Sequence, residues 1–182
     1  MIWEHFGDNR SGKTLLHAIF AWEAYNQDKQ VLCNCEFNPV TQQMDHILNF
    51  PHIDYEPKKL FYMNLRDCCI ITDQAELYMD SALRNATARA LYRFGYQVKK
   101  RGIDWHFDTV RIKNIEIRVR LNPDFALETK RFPRDYKKPL EAIKIVVTPR
   151  YGKDRTIWIR HPETFFPLYN HDVMVVPEPE NC

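Results

Sequence analysis

Short apolar segments alternate with longer helical patterns along most of the chain. Met1–Phe6 alternates apolar and polar positions and predicts a short strand, and Gln30–Cys35 predicts a second one. Cys68–Thr72 is a continuous apolar run, which is typical of a strand buried on both faces of a parallel sheet. Trp105–Thr109 and Ile115–Leu121 predict two further strands. Strands separated by helices indicate an α/β domain with a mainly parallel sheet.

Three stretches between these strands have helical patterns. Thr14–Tyr25 is apolar around most of its circumference and contains neither Gly nor Pro, so it predicts a mostly buried helix. Ser81 can cap a second helix, whose apolar face runs to Val98 and which ends before Gly102. A shorter helix is predicted over Thr41–Phe50.

The last third of the chain has a different character. Asp124–Glu141 is a basic, proline-containing stretch with little periodicity, and we predict a long connection there. Ile143–Val147 and Thr156–Arg160 flank a turn signal at Gly152. This pattern predicts an antiparallel hairpin at an edge of the sheet, within residues 143–160.

The length of 182 residues supports one domain, which we predict over residues 1–176, with a frayed tail at 177–182. The apolar runs are too short to cross a bilayer, so no membrane span is predicted. Five cysteines, without the spacing of a zinc site, predict reduced thiols buried in strands. These features favour a cytoplasmic protein.

The small net charge of +2 conceals an asymmetry between the two halves of the chain. Residues 1–80 contain 6 Lys and Arg against 12 Asp and Glu, whereas residues 81–182 contain 20 against 12. A basic half can mark a surface that binds a polyanion, and it can equally be a solvated surface. Composition leaves both interpretations open.

One short motif carries most of the chemistry. The residues from 7 to 14 fit the pattern G-x-x-x-x-G-K-[ST] and are Gly7, Asp8, Asn9, Arg10, Ser11, Gly12, Lys13 and Thr14. In this pattern the backbone N–H groups of a tight loop surround phosphates, the lysine reaches the β- and γ-phosphates, and the hydroxyl binds Mg²⁺. The predicted strand before the motif and the predicted helix after it are the context that this site requires.

A nucleotide site of this kind needs an acidic residue near the Mg²⁺ ion, commonly at the end of an apolar strand. Asp73 follows such a run, so we predict that Thr14 and Asp73 hold Mg²⁺ and that the cofactors are ATP and Mg²⁺. The other role open to Asp73 is that of a turn or helix cap.

Four later segments carry a resemblance to a known family. They are Asp73–Ser81, Tyr96–Asp104, Arg118–Arg120 and Phe166–Asn170. Together with the phosphate loop, they resemble the FtsK–HerA branch of P-loop ATPases, in particular viral genome-packaging ATPases and the cytoplasmic domain of Zot-like phage assembly proteins. The resemblance spans nearly the whole chain and implies a RecA-like P-loop NTPase domain, in which Lys13 and Asp73 take part in catalysis.

Three positions depart from the family pattern. Gln74 stands where the family has a catalytic Glu, Val110 where it has a polar sensor Gln, and Ala82 where it has Arg. An amide can orient the attacking water, but it is a poor base. Hydrolysis is therefore expected to be slow, unless another group such as Glu76 substitutes. A Glu-to-Gln change introduced by engineering would leave the same sequence.

The resemblance further implies an ATP-hydrolysing motor subunit that moves double-stranded DNA in viral genome packaging. Its expected partners are DNA, further copies of itself in a ring, and a capsid or portal component, and its expected location is the host cytoplasm. Arg118 and Arg120 are the candidates for arginines that complete a neighbouring active site, with Arg111 behind them. The basic segment Lys130–Lys138 is the candidate DNA-binding loop.

Two other functions remain open at this point. The first is a nucleotide-binding factor for virion assembly or extrusion, similar to Zot, with little turnover. The second is a small-molecule kinase, which would need a basic lid over the phosphates. Its candidate lid residues are Arg131, Arg134, Lys137 and Lys138.

Overall fold

A computed structural model of the protein describes residues 1–34, 36–38, 43–45, 47–80, 86–135 and 137–170. An eight-stranded sheet runs through it. Its strands are β1 (Ile2–Phe6), β2 (Gln30–Cys33), β5 (Ile53–Asp54), β6 (Cys68–Thr72), β7 (Asp104–Thr109), β8 (Phe125–Phe132), β9 (Ala142–Pro149) and β10 (Arg155–Arg160). Two further strands, β3 (Glu36–Asn38) and β4 (Gln43–Asp45), pair separately.

Helices cover both faces of the large sheet. The α-helices are α1 (Lys13–Asn26), α2 (Glu76–Met79), α3 (Ala86–Val98) and α4 (Ile117–Arg120). Among the described residues, 3₁₀ segments span Pro57–Tyr62, Lys99–Arg101, Ile112–Asn114 and Pro162–Leu168. No helix within the described ranges combines the length and apolarity needed to cross a bilayer.

The strand order of the sheet places β1 at its centre. The order is β10-β9-β8-β1-β7-β6-β2-β5, and every pair from β8 to β5 is parallel. The last two pairs, β8 with β9 and β9 with β10, are antiparallel. The predicted α/β fold with a mainly parallel sheet and a C-terminal antiparallel hairpin is therefore confirmed. The carboxyl ends of β1, β6, β7 and β8 share one edge of this sheet.

The core has two layers because both faces of the sheet are covered. On one face, α3 buries Leu91, Phe94 and Val98 against β6 and β7. On the other face, α1 buries its small residues Ala18 and Ala21 against β2 and β6. Each large side chain that is fully buried stabilises the fold by about 1.5–3 kcal/mol. The buried free thiols Cys33, Cys68 and Cys69 lie in strands, as predicted.

Three of the predicted elements are wrong. Thr41–Phe50 is not a helix, because Gln43–Asp45 pairs with Glu36–Asn38 as an antiparallel ribbon. Ile115–Leu121 is not a strand, because the Glu116 carboxylate accepts hydrogen bonds from the backbone N–H groups of residues 118 and 119 and starts the helical turn α4. Asp124–Glu141 is not simply a long connection, because its first part, Phe125–Phe132, forms β8.

The strand β8 was not predicted because its many polar residues leave only a weak alternation. Leu127 and Thr129 are buried, whereas their neighbours along the strand are half-buried. Pairing with β1 on one side and with β9 on the other stabilises the strand. The predicted cap Ser81, the family position Ala82 and the tail 177–182 lie outside the described residues.

Glu4 is a buried carboxylate in the middle of β1, and only 3% of its surface is exposed. Burial raises its pKa to about 7, although the charge of Arg120 opposes the shift. The folded protein thus keeps this proton up to about pH 7, whereas the unfolded chain releases it near the ordinary value of 4.5. The raised pKa of Glu4 therefore contributes to the free energy of unfolding below pH 4.5, and this contribution is lost as the pH rises from 4.5 to about 7.

We expect Glu4→Gln to stabilise the domain at pH 8 by about 3 kcal/mol, and to have a much smaller effect at pH 5. Burial disfavours the ionised carboxylate of Glu4, whereas the amide of glutamine carries no charge at either pH. Urea unfolding at the two pH values measures this difference. Glu23→Gln, a change of an exposed glutamate on α1, is the matched control. An equal effect of Glu4→Gln at both pH values would contradict the prediction.

Candidate functional site

The phosphate loop connects the carboxyl end of β1 to the amino end of α1, at the centre of the sheet. The Lys13 side chain folds back over the loop and donates hydrogen bonds to the carbonyls of Gly7 at 2.9 Å and Asp8 at 3.2 Å. The loop residues 8–10 are exposed, whereas Lys13 is only 8% exposed. The ammonium group is therefore already held beside the loop N–H groups that would face an anion.

Two glycines of the loop are required by their neighbours as well as by their backbone angles. Gly7 has φ 151°, and a Cβ there would lie 2.5 Å from the Thr129 carbonyl oxygen. Gly12 has φ 102°, and a Cβ there would lie 2.4 Å from Ile143 Cδ1. The loop thus packs directly against the strands β8 and β9.

A hydrogen bond between two hydroxyl groups joins the loop to β8. Ser11 Oγ lies 2.7 Å from Thr129 Oγ1, and Thr129 Oγ1 in turn donates to the Phe6 carbonyl at 3.2 Å. Both hydroxyl side chains are buried. Thr129 therefore supports the end of β1 and the loop together, a role that sequence reasoning missed.

Asp73 follows the fully buried strand β6 and reaches the start of α1. Thr14 Oγ1 donates to Asp73 Oδ1 at 3.3 Å, so the structure brings the two predicted Mg²⁺ ligands together. A hydroxyl and a carboxylate side by side are hard oxygen donors, and Mg²⁺ prefers such donors. The residues present fit this ion.

Two side chains that were not predicted hold the backbone around Asp73. Asn34 is fully buried at the end of β2; its Nδ2 donates to the Asp73 carbonyl at 2.9 Å, and its Oδ1 accepts from the Asp73 N–H at 2.7 Å. Asp108, on β7, accepts from the Gln74 N–H at 2.6 Å, and its carbonyl accepts from the Ala75 N–H. The position of both residues at the carboxyl ends of parallel strands is the signal that could have found them.

Gln74 and Glu76 lie on the turn that these bonds hold. Gln74 has φ 51°, in the left-handed region, and its side chain is half-buried beside Asp73. Glu76 begins α2, and one of its carboxylate oxygens is buried without a hydrogen-bond partner in the described part of the chain. Both side chains therefore stay near the predicted Mg²⁺ ligands, and either could contact a water molecule there.

Negative charge accumulates at this edge of the sheet. Burial and the nearby charge of Asp73 raise the pKa of the Asp108 carboxyl well above its ordinary range, and the Lys13 ammonium opposes the shift. His17, on α1, is also buried here, with Nδ1 3.7 Å from Asp73 Oδ1. Behind it lie His5 and His106, and burial lowers the pKa of both well below the ordinary value.

Of the candidate arginines, Arg111 follows the carboxyl end of β7 at this edge of the sheet, whereas Arg118 and Arg120 lie elsewhere. Arg118 pairs with Glu116 at 2.6 Å and lies over the Tyr92 ring. It also lines a cleft of about 380 Å³ that includes Ile2, at the amino end of β1. The phosphate loop follows the other end of this strand, about 13 Å away. Arg120 lies on the same face of the sheet, where its charge acts on Glu4.

The basic segment Lys130–Lys138 is only partly a loop. Lys130 and Arg131 belong to β8, and Lys130 pairs with Glu128 at 2.8 Å. Arg131 holds the following turn by donating to the Pro133 carbonyl at 3.1 Å and to the Lys138 carbonyl at 2.8 Å. Because β8 runs parallel to β1, this turn lies at the same edge of the sheet as the phosphate loop.

The chain matches no protein-family model and has no significant similarity to a curated protein sequence. Its fold, however, is similar to that of the N-terminal domain of zonular occludens toxin from Neisseria meningitidis. The TM-score is 0.67 and the sequence identity is 12%, over 93% of this chain and 98% of that chain.

Two further solved structures have a similar fold. The genome packaging NTPase B204 from Sulfolobus turreted icosahedral virus 2, in complex with ATP-γS, matches with a TM-score of 0.62 and 12% identity, over 85% of this chain and 95% of that chain. The DNA-packaging ATPase B204 from Sulfolobus turreted icosahedral virus matches with a TM-score of 0.58 and 14% identity, over 85% of this chain and 95% of that chain. At the level of fold, these similarities confirm the predicted P-loop NTPase architecture and the predicted resemblance to viral packaging ATPases and to Zot.

Proposed function

We propose that this protein binds and hydrolyses ATP with Mg²⁺, and that it is a motor subunit that moves double-stranded DNA in viral genome packaging. The observation that carries the nucleotide part is the convergence of Lys13, Thr14 and Asp73 at one strand edge of a P-loop fold. The DNA part is supported by the similarity of the fold to a genome packaging NTPase and by the basic turn at the same edge.

The chain's own groups suit a bound triphosphate. The loop N–H groups and the amino end of α1 favour the negative phosphates, and Lys13 exchanges its two loop carbonyls for phosphate oxygens. Thr14 and Asp73 hold the cation, and Asn34 fixes the backbone of Asp73. When bound, Mg²⁺ would neutralise the charge that develops on the phosphates.

Hydrolysis needs a group that orients a water molecule and accepts its proton. Gln74 lies at the position that follows Asp73, and its amide can orient the water but cannot serve as an effective base. Glu76 offers a carboxylate from the first turn of α2. The chemistry available therefore predicts slow turnover by the chain as it stands.

A second function is supported by a different observation. The Zot N-terminal domain has a similar fold, and position 74 carries an amide in place of a carboxylate. A nucleotide-binding assembly or extrusion factor with little turnover fits both facts. It would require neither DNA binding nor stimulation of the ATPase by DNA.

One experiment separates the two functions. We expect ATP hydrolysis to rise when duplex DNA is added, and native mass measurements to show a ring oligomer with ATP. DNA affinity should fall steeply between about 50 and 200 mM salt and vary little with sequence, because phosphate contacts release counterions. Failure to retain duplex DNA at low salt, even with ATP, would favour the assembly factor.

The turn between β8 and β9 is our candidate for the DNA contact. Reversing Arg134, Lys137 and Lys138 to Glu should reduce the slope of log affinity against log salt by about 3 and spare ATP binding. Arg131 is left intact in this variant because it holds the turn. The matched control reverses Lys100, Lys153 and Arg155, which are exposed at the opposite edge of the sheet. Equal losses in both variants would indicate a general charge effect.

Arg118 and Arg120 remain our candidates for arginines that act across a subunit boundary. Loss of such an arginine should remove hydrolysis and leave ATP binding intact. Mixing an Arg118→Ala or Arg120→Ala subunit with a Lys13→Ala subunit should restore part of the activity, because one shared interface then contains both groups. Arg89→Ala, on the exposed face of α3, is the control. A proven mixed oligomer without recovery would place the arginines outside the neighbouring site.

A further inference from the structure

Three buried side chains of different types converge beside the phosphate loop. A ring nitrogen of His17 and carboxylate oxygens of Asp73 and Asp108 all lie within 4.8 Å of one another. The three residues come from α1, from the end of β6 and from β7. His17 is fully buried, and Asp73 and Asp108 are only 5% and 3% exposed.

The imidazole of this cluster lacks a hydrogen-bond partner among the described residues. Within the described residues, neither ring nitrogen of His17 has a hydrogen-bond partner, since the distance of 3.7 Å to Asp73 Oδ1 is too long. A buried polar group without a partner destabilises the folded state. Asp73 and Asp108 add two adjacent carboxylates in a buried place, and Lys13 is the cation that opposes their charge.

We propose that His17, Asp73 and Asp108 form a binding site for a first-row divalent metal ion of the class that includes Mn²⁺, Co²⁺ and Zn²⁺. The ion binds in the absence of nucleotide. One cation satisfies the orphaned imidazole and separates the two carboxylates at the same time.

The distances are compatible with such an ion after small side-chain movements. A metal about 2.1 Å from each ligand holds neighbouring ligands about 3.0 Å apart in octahedral geometry and about 3.4 Å apart in tetrahedral geometry. The cluster is wider than this, with 3.7 Å between His17 Nδ1 and Asp73 Oδ1 and all three ligand atoms within 4.8 Å of one another. Small rotations of the two aspartate side chains can close this gap while the His17 ring keeps its orientation.

The ligand types set the expected selectivity. Imidazole suits Mn²⁺, Co²⁺ and Zn²⁺ better than Mg²⁺, which prefers an all-oxygen set. The proposed site differs in this respect from the Thr14–Asp73 pair, which offers only oxygen. The two sites share Asp73, so the transition-metal ion would lie on the side of this carboxylate that faces His17.

Two further histidines support the imidazole ligand. The His5 ring packs edge-on against the His17 ring, with 4.4 Å between their centroids. His5 Nε2 in turn lies 3.1 Å from His106 Nδ1, within hydrogen-bond distance. These contacts hold the His17 ring in place from behind and favour a fixed orientation toward the carboxylates.

The test is Mn²⁺ binding to the full chain without nucleotide, followed by electron paramagnetic resonance. We expect one bound Mn²⁺ and, in pulsed spectra, the coupling of a directly bound ¹⁴N nucleus. Tenfold excess Mg²⁺ should not displace the ion. Because no nucleotide is present, the result is independent of the proposed ATPase function.

Variants assign the ligands. His17→Gln should remove the ¹⁴N coupling and weaken Mn²⁺ binding at least tenfold. Asp108→Asn should weaken binding at least tenfold but keep the ¹⁴N coupling, since the amide oxygen can still accept from the Gln74 N–H. His161→Gln, a change of an exposed histidine, should alter neither. Absence of Mn²⁺ binding, bound Mn²⁺ without ¹⁴N coupling, or ¹⁴N coupling that persists in His17→Gln would each overturn the proposal.

Discussion

Replacing Lys13 by alanine is expected to lower the affinity for ATP at least 100-fold while the domain remains folded. A charge-assisted hydrogen bond contributes about 1.5–3 kcal/mol, and this ammonium would make two of them to phosphate oxygens. The fold should survive because, among the described residues, the hydrogen bonds of the Lys13 ammonium go to the loop carbonyls of Gly7 and Asp8. Binding of a fluorescent ATP analogue and thermal unfolding measure the two effects.

The control for this change is Lys153→Ala, which removes an exposed lysine in the turn between β9 and β10. It should leave ATP affinity unchanged. If Lys13→Ala bound ATP as tightly as the natural chain, the phosphate loop would not be the nucleotide site, and the proposed function would be lost. A variant that no longer folds would instead indicate that Lys13 is required for folding, through its two hydrogen bonds to the loop carbonyls.

Replacing Gln74 by glutamate is expected to raise the rate of ATP hydrolysis about 100-fold, because a positioned general base contributes at least that much. The backbone at this position is held by Asp108 and should not change, so the new carboxylate occupies the place of the amide. Single-turnover hydrolysis measures the chemical step directly and separates it from release of the product.

Two further variants make this prediction decisive. Gln74→Ala should be slower than the unsubstituted chain, since it removes the group that orients the water. Glu76→Gln should have little effect if residue 74 is the relevant position. No gain from Gln74→Glu, together with a loss from Glu76→Gln, would assign the base to Glu76 and leave Gln74 as a turn residue.

Much of the fold follows from local patterns in the sequence. The apolar runs of β6 and β7, the helical patterns of α1 and α3 and the turn signal at Gly152 each depend on residues close together in the chain. Local preference for a strand failed at α4, where a side-chain cap opposed it, and the weak local pattern of β8 did not reveal its long-range pairing. Glu116 caps a helical turn in a segment that has the composition of a strand, and β8 exists because β1 and β9 pair with it on both sides.

The same division holds for the site. The sequence by itself determined the phosphate loop, Lys13, Thr14 and the acidic Asp73, because contiguous residues build the loop and an apolar strand directly precedes the aspartate. Only the tertiary structure revealed Asn34, Thr129, Asp108 and His17 as parts of the site. These residues belong to separate elements: Asn34 and Asp108 lie at the carboxyl ends of parallel strands, Thr129 lies on β8 beside the loop, and His17 lies on α1. The spacing of these residues along the chain does not indicate that they lie close together in the fold.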